Sequence, residues 1–197
     1  YLFMDKRVEK TREAIVEAYL ALIMEKRGSK ITISEVASRA NIARKTFYLH
    51  YESLEDVSQD ASRRKLDDLI LILERHRFFK NPFDTDLLFH CLNQLIEPDI
   101  DLYRYLSKEN PELFFWSQLK RTMIRLIAEI YKSQIDMPAP ELRLYAEYFI
   151  SGVTAVYISW LREEIPLPFE QLASLVGEAT LHGIRKPQSG DSAGTSA

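Results

Sequence analysis

Glycine and proline are scarce in this chain, with 6 and 8 copies among 197 residues. All-β folds need many tight turns, which glycine and proline usually supply, so this scarcity favours long helices. Apolar residues recur with helical spacing, and no segment stands out as the apolar–polar alternation of a half-buried strand. The sequence therefore predicts an all-α fold.

Helix-start and helix-stop signals divide the chain into nine predicted helices. Charged residues lie opposite the apolar stripes, and connections that contain proline separate most of the later segments. The predicted bounds, all approximate, are Val8–Lys26, Ile33–Arg39, Ala43–His50, Leu54–Arg77, Thr85–Glu97, Asp99–Lys108, Pro111–Ile135, Glu141–Glu164 and Phe169–Ile184.

Two capping patterns locate helix starts near the N-terminus. Thr32 and Glu35 form a capping box, in which the Thr32 hydroxyl accepts from the Glu35 amide and the carboxylate reaches back. Ser53 and Asp56 repeat the pattern at the start of the fourth helix. Asn41 is predicted to take the left-handed conformation, which Asn adopts more readily than most residues. The second and third helices therefore form a helix-turn-helix.

Basic residues are concentrated in the N-terminal quarter. Residues 1–51 contain ten Lys and Arg against six Asp and Glu, whereas residues 52–197 contain 16 against 23, and the net charge is −3. A basic segment on an acidic remainder is expected where one part of a protein meets a polyanion. An asymmetry of this size also arises by chance, so it supports nucleic-acid binding only together with a motif.

The helix-turn-helix residues supply that motif. They combine a threonine cap, an A-x-x-A turn and the ending Tyr48-x-His50-Tyr51. This combination resembles the DNA-binding signature of TetR-family transcriptional regulators over about Val8 to Val57. The resemblance implies a three-helix DNA-binding head on a larger helical ligand-binding and dimerisation domain. It also implies a homodimer that binds a palindromic operator in double-stranded DNA and responds to a small-molecule effector.

The third helix is predicted to read the DNA. Its N-terminal residues can reach base edges in the major groove, and its backbone amides favour phosphate. The alternative is that Arg44 and Lys45 form a solvated helix start and that Tyr48 is a core aromatic. Base contacts determine sequence preference, whereas phosphate contacts, expected of Thr32, Tyr48 and His50, set the register. The predicted DNA-binding residues are Thr32, Ser34, Arg44, Lys45, Thr46, Tyr48 and His50.

Four positions depart from the family pattern. Asn41 replaces the usual turn glycine, and Ala43 stands where a serine commonly caps the recognition helix. Leu49 replaces a usually polar residue, and Leu54 replaces a lysine that often contacts phosphate. These losses leave open a second function, in which a TetR-like coactivator or ligand-binding protein acts mainly through a partner protein.

The helix predicted at 141–164 has two apolar rows, which indicates burial on both sides. The first row includes Tyr145 and Phe149, and the second includes Leu144 and Tyr148. Over 145–175 the chain also looks like the C-terminal region of one TetR branch from Gram-positive bacteria. The alternative is a helix buried within one protomer. The predicted dimer-interface residues are Phe149, Val153, Val156, Trp160, Leu172, Leu175 and Val176.

The middle helices hold the candidate effector site. Their aromatic and polar residues could line a cavity, although aromatic residues at helical spacing are more often core. The predicted ligand-binding residues are Tyr103, Phe115, Trp116 and Cys91, drawn from a pool that also contains His90, Tyr105, Phe114 and Met123. A single cysteine excludes an internal disulfide, and neither a metal nor a cofactor is expected.

The remaining expectations concern function class and location. The sequence has no G-x-S-x-G, H-E-x-x-H or phosphate-cradling glycine-rich loop, so no enzymatic activity is expected. No apolar run approaches the roughly 18–20 residues of a membrane span, and no export signal is evident, which favours the cytoplasm. The predicted domains are 1–52 for the helix-turn-helix, 53–186 for ligand binding and dimerisation, and 187–197 for a disordered tail. The predicted function is a ligand-responsive transcriptional regulator acting as a repressor.

Overall fold

The computed structural model describes residues 6–109, 114–132 and 136–183. In these ranges the regular structure is helical and contains no strand, as predicted for an all-α chain. The α-helices of the described residues are α1 (Lys6–Lys26), α2 (Ile33–Arg39), α3 (Arg44–Tyr48), α4 (Leu54–Arg75), α5 (Thr85–Ile96), α6 (Ile100–Glu109), α7 (Phe114–Tyr131), α8 (Ala139–Leu161) and α9 (Phe169–His182).

The predicted helix bounds agree with the structure best where a cap defines them. The α2 bounds are those predicted, and α3 is shorter because its flanking residues lie outside the helical hydrogen-bond pattern. At the end of α4, Arg77 adopts a left-handed φ of 59°, which stops the helix two residues early. The predicted α7 bounds Pro111 and Ile135, the α9 end at Ile184 and the tail at 187–197 lie outside the described residues.

Both predicted capping boxes are present. The Thr32 hydroxyl accepts from the Glu35 amide, and the Ser53 hydroxyl accepts from the Asp56 amide, while each carboxylate accepts from the cap residue's backbone N–H. Asn41 has a left-handed φ of 55°, as predicted for the turn. Short-range hydrogen bonding therefore fixes both the second helix and the start of the long fourth helix.

Buried apolar side chains form two clusters that meet along α4. The head cluster joins α1, α2 and α3 to the first turns of α4, with Ile15, Phe47 and Val57 fully buried. The body cluster begins lower on α4, at Leu66, and continues through α5 to α9. We call residues 6–51 the head and residues 54–183 the body. Because α4 belongs to both clusters, it is the rigid element that connects them. The predicted domain boundaries stay a prediction.

Within the body, α7 packs along both α4 and α8, and α9 packs on α5. An aromatic chain runs through this core, with Trp116, Tyr157, Trp160 and Phe169 each 5.5–5.9 Å from the next ring. Among the described helices, none has the length and apolarity needed to cross a bilayer.

Candidate nucleic-acid interface and effector cavity

The head presents the start of α3 to solvent. Phe47 is fully buried among the head helices, and its ring packs edge to face on Tyr48 at 5.7 Å. At the N-terminal end of this short helix, Arg44 and Lys45 are exposed and Thr46 is half-buried. The buried Phe47 therefore anchors a helix whose start presents two cations to solvent.

The start of α2 lies beside this surface and is fixed by charge. Lys26 of α1 donates to Glu35 Oε1 at 2.8 Å, and the Thr32 hydroxyl donates to Glu35 Oε2 at 2.9 Å. The hydrogen bond from Lys26, followed by those from Thr32, lowers the pKa of Glu35 to about 2. Thr32 and Ser34 remain exposed on this helix start.

The end of the helix-turn-helix carries exposed apolar side chains. Tyr48 is 50% exposed and Leu49 is 75% exposed, while His50 is half-buried. All three line an open groove of about 670 Å³, which also includes Arg12 and Arg63. Glu52, Asp56 and Asp60 also line this groove, and Arg12 and Arg63 both pair with Asp60, so the groove is not a purely basic surface. Tyr48 and His50 thus share one groove, and the contact of the seven predicted residues with DNA stays a prediction.

Tyr51 links the head to α4 through a buried carboxylate. Its hydroxyl donates to Asp60 Oδ2 at 2.6 Å, and the guanidinium of Arg12 lies 4.8 Å above its ring. Arg64 Nε donates to the same oxygen at 2.9 Å, and Arg63 donates to Asp60 Oδ1. Arg64 also pairs with Glu9 of α1 at 2.6 Å. We call Tyr51, Asp60, Arg12, Arg63, Arg64 and Glu9 the junction network.

The junction network holds charge inside the protein. Burial by itself would raise the pKa of Asp60, but hydrogen bonds from Tyr51, Arg63 and Arg64 and the charge of Arg12 lower it below its usual value. Burial and the Asp60 carboxylate raise the pKa of Tyr51 to about 12. The phenol is therefore neutral and donates, and the carboxylate is ionised and accepts, at every ordinary pH.

Three of the four predicted ligand-binding residues line one cavity. Tyr103, Phe115 and Trp116 border a space of about 230 Å³ between the head and the body. Cys91 lies apart on α5, where it is 1% exposed and burial, together with Asp84, raises its pKa to about 11. Of the other candidates, Met123 is fully buried, and the side chain of Phe114 lies outside the described residues.

No protein-family model matches the sequence of this chain. A curated relative from Bacillus subtilis, the uncharacterised HTH-type transcriptional regulator YxbF, is 40% identical over 177 residues. The match covers 86% of this chain and 44% of that relative, so the chain spans less than half the length of the curated relative it matches.

Solved structures share the whole architecture. The fatty acid degradation regulator FadR from Bacillus halodurans gives a TM-score of 0.62 at 17% identity, over 88% of this chain and 99% of that one. The multidrug binding protein EbrR gives 0.59 at 16% identity, over 95% and 97%. A TetR/AcrR-family regulator from Thermobifida fusca gives 0.58 at 16% identity, over 89% and 98%. The chain has the TetR-type fold.

The TetR-type fold confirms the predicted resemblance and the predicted helix-turn-helix head on a helical body. The architecture is established by TM-scores of 0.58–0.62, which the backbone reaches at sequence identities of only 16–17%.

The TetR-type body exposes an apolar face on α8 and α9. Leu144, Tyr145 and Tyr148 are 64%, 51% and 79% exposed, and Leu175 on α9 is 48% exposed. A side chain placed at Gly152, on the same helix, would meet nothing within 4 Å. Large apolar side chains are thus exposed on both helices.

The predicted dimer-interface residues are divided between this face and the interior. Phe149, Val153 and Leu172 are buried against the protomer's own core, at 4%, 2% and 2% exposure. The other four lie nearer the surface, since Leu175 is exposed and Val156, Trp160 and Val176 are half-buried. Three of the seven are thus enclosed within one protomer, while Leu144 and Tyr148 of the second apolar row face solvent.

Sequence reasoning missed Asp60 and the α1 and α4 residues of the cavity. The sequence does contain a signal for Asp60, because Arg63 and Arg64 follow it at the i+3 and i+4 spacing of helical ion pairs. Its bond to Tyr51 depends on how α4 meets the head, which no local pattern gives. Tyr19 and Ser58 line the cavity from α1 and α4, and each falls within an ordinary amphipathic helix.

Proposed function

We propose that the chain is a ligand-responsive DNA-binding transcriptional regulator that binds a palindromic operator as a homodimer and acts as a repressor in the cytoplasm. The observation that carries this proposal is the exposed pair Arg44 and Lys45 at the start of α3, backed by the buried Phe47. The Bacillus subtilis relative is itself an HTH-type transcriptional regulator, which supports the same class of function for this chain.

DNA recognition follows from the chemistry of the head. Arg44 and Lys45 can donate to guanine O6 and N7 in the major groove, and each good pair gives about 1–3 kcal/mol of discrimination. Thr46 lies beside them, while Thr32, Ser34, Tyr48 and His50 are proposed to contact phosphates on either side. Residues 1–51 contain more Lys and Arg than Asp and Glu, and this excess of positive charge attracts DNA at long range.

Dimerisation is proposed to bury the exposed face of α8 and α9. Two recognition helices must lie about 34–36 Å apart to meet successive major grooves, which one protomer with one head cannot do. Val156, Trp160, Leu175 and Val176 are proposed to lie in this interface. Leu144 and Tyr148 extend it, because they are the most exposed large apolar residues of α8.

A small-molecule effector is proposed to act through α4. This helix contributes to both clusters, so a ligand that favours one arrangement of the body changes the position of the head. The shift is limited by the ligand's difference in affinity between the two arrangements. Two proteins of similar structure are a fatty acid degradation regulator and a multidrug binding protein, and they support a response to a ligand without specifying one ligand class.

Fluorescence anisotropy on DNA flanking the chain's own gene tests the proposal. We expect tight binding to a short palindrome, with a stoichiometry of one dimer per site. A protein that makes about 6–10 phosphate contacts loses about 10³–10⁵-fold in affinity between about 50 and 200 mM salt. Binding that is independent of both sequence and salt would contradict the proposal.

The exposure of Leu49 favours a second candidate function. At 75% exposure beside Tyr48, it offers an apolar patch where a polar residue would suit a phosphate. A TetR-like coactivator would use this patch to bind a partner protein. In that case Leu49→Ser would abolish partner binding, whereas for the regulator the same change would leave palindrome binding intact.

A further inference from the structure

A cavity of about 230 Å³ lies where the head meets the body. Its walls come from α1 and α4 on one side and from α6 and α7 on the other, so one occupant would touch both units. Ile23 and Tyr19 form part of the α1 wall, and Phe115 and Trp116 form the α7 wall. The space is below the range of about 300–1,000 Å³ usual for drug-sized ligands, so its occupant is small.

The inner wall of this head–body cavity is aromatic and aliphatic. The rings of Phe115 and Trp116 are 4.9 Å apart at a steep angle, and Tyr103 packs edge to face on Phe115 at 5.8 Å. Leu102 and Leu106 of α6 complete this wall. An apolar body of one or two rings therefore suits the inner part of the cavity.

One buried donor in this wall lacks a partner. The indole Nε1–H of Trp116 is buried and has no hydrogen-bond partner among the described residues. By contrast, Trp160, a member of the same aromatic chain, donates its Nε1–H to the Leu167 carbonyl at 3.0 Å. An unpaired buried donor is unfavourable, and a ligand oxygen that accepts from it would remove that cost.

The charges of the cavity are confined to its α4 side. Lys65 is paired with Asp99 at 3.2 Å, and Glu55 is exposed to water. The remaining polar groups on the head side are hydroxyls, among them Tyr19, which is hydrogen-bonded to Ser58. An ionised ligand would lose its hydration without gaining an unpaired opposite charge in the inner wall, so the cavity favours an uncharged one.

We propose that the head–body cavity is the effector site and that it binds a small, uncharged, mainly apolar molecule whose acceptor oxygen pairs with Trp116 Nε1. The inference rests on the proposed ligand-responsive function and adds the location and chemistry of the effector. Because the ligand contacts α1 directly, it stabilises one placement of the head on α6 and α7. Its effect on DNA affinity equals the effect of DNA on its own affinity.

The test uses 1-indanone, a neutral two-ring ketone, with indane and benzoate as matched probes. The full chain contains two tryptophans, so its indole N–H region in a ¹⁵N–¹H spectrum holds two signals, which Trp160→Phe assigns. We expect 1-indanone to shift the Trp116 signal saturably, with a Kd of about 0.1–1 mM, and to leave the Trp160 signal in place. Indane, which lacks the oxygen, should bind about 5–10-fold more weakly, and benzoate should not bind.

Three variants test the assignment. Trp116→Phe keeps the apolar wall but removes the donor and its indole signal, so binding to it is measured from the backbone amide signals. 1-indanone should bind Trp116→Phe no better than indane does, whereas Trp160→Phe should bind 1-indanone normally. Leu106→Trp fills the space and should abolish binding of both neutral probes, which keeps the inference testable if Trp116→Phe fails to fold. Absence of saturable binding, or binding that survives Leu106→Trp in a folded protein, would overturn the inference.

The same samples separate this inference from the proposed regulator function. A chain that binds a palindrome but no probe keeps the regulator function and refutes the cavity. A chain that binds 1-indanone at Trp116 but no DNA keeps the cavity as a ligand site and refutes the regulator.

Discussion

Tyr51 donates its hydroxyl to the buried carboxylate of Asp60 at 2.6 Å, and this bond joins the end of the helix-turn-helix to α4. The two residues are nine positions apart, with the start of a helix between them. Arg12 brings α1 to the same point, because it lies over the Tyr51 ring and pairs with Asp60 at 3.3 Å. The position of the head on α4 is therefore fixed by one polar junction as well as by apolar packing.

Removing either member of this pair should destabilise the protein. We expect Tyr51→Phe to lower the free energy of unfolding by about 1–2 kcal/mol, because Asp60 keeps its arginines. Asp60→Asn should cost about 2–4 kcal/mol, since it leaves three guanidinium groups without their shared anion. Urea unfolding measures the free energy of unfolding of both variants. Tyr48→Phe and Asp67→Asn, at exposed positions, are the controls and should change stability by less than about 0.5 kcal/mol.

The same pair should give the stability a characteristic pH dependence. Because the pKa of Asp60 is lowered in the folded protein, its contribution is complete above the ordinary carboxyl pKa of about 3.9 and is lost as the pH falls below that value. The pKa of Tyr51 is raised to about 12, so its contribution is complete below about pH 10 and declines as the pH rises towards 12. Urea unfolding from about pH 3 to 11 should show the difference between wild type and Asp60→Asn shrinking in acid. An unchanged difference at low pH would refute the assignment.

Base-reading and phosphate-binding residues of the head should differ in their effect on specificity. Arg44→Ala should cost about 1–3 kcal/mol on the palindrome, a loss of roughly 5–150-fold, and little on unrelated DNA. Tyr48→Phe should weaken binding to all sequences alike. Anisotropy on matched and scrambled duplexes distinguishes the two. Arg75→Ala, which removes an exposed arginine at the far end of α4, is the charge-matched control, and an equal loss there would refute a local role for Arg44.

The N-terminus of α3 lacks a side-chain cap, and supplying one should stabilise this helix. Ala43 has the extended backbone of an N-cap residue, with φ −71° and ψ 147°, but no side-chain hydrogen bond. Ala43→Ser should therefore raise the free energy of unfolding by about 1 kcal/mol. Thr32→Ala, which removes the existing cap of α2, should lower it by a similar amount. In thermal unfolding, Ala43→Ser should raise the midpoint temperature and Thr32→Ala should lower it.

The exposed face of α8 should control the oligomeric state. Leu144→Glu would place a charge on this face, so we expect the homodimer to dissociate at micromolar concentration. Leu71→Glu changes a leucine of similar exposure on α4 and should leave the dimer intact. Sedimentation velocity measures both, and a monomeric wild type would refute the proposed interface.

Interactions between residues close together in the chain specify the local structure of the head. The Thr32 and Ser53 caps and the left-handed Asn41 each depend on residues within four positions, so short-range hydrogen bonding fixed α2, the turn and the start of α4. Within α3, helical spacing places Lys45 nearly opposite the buried Phe47, so the exposure of this cation also follows from the short-range pattern.

The buried face of α8 and the position of the cavity depend on contacts between distant parts of the chain. Two apolar rows on α8 predicted two buried faces, but Leu144 and Tyr148 of one row are exposed, and so is Tyr145 of the other. Phe149 and Val153 are interior, because the packing of α7 covers only part of the helix surface. The cavity beside Trp116 likewise exists only where α1 and α4 meet α6 and α7. Helical periodicity specifies which residues share a face, whereas the neighbour that covers the face depends on contacts between residues far apart in the chain.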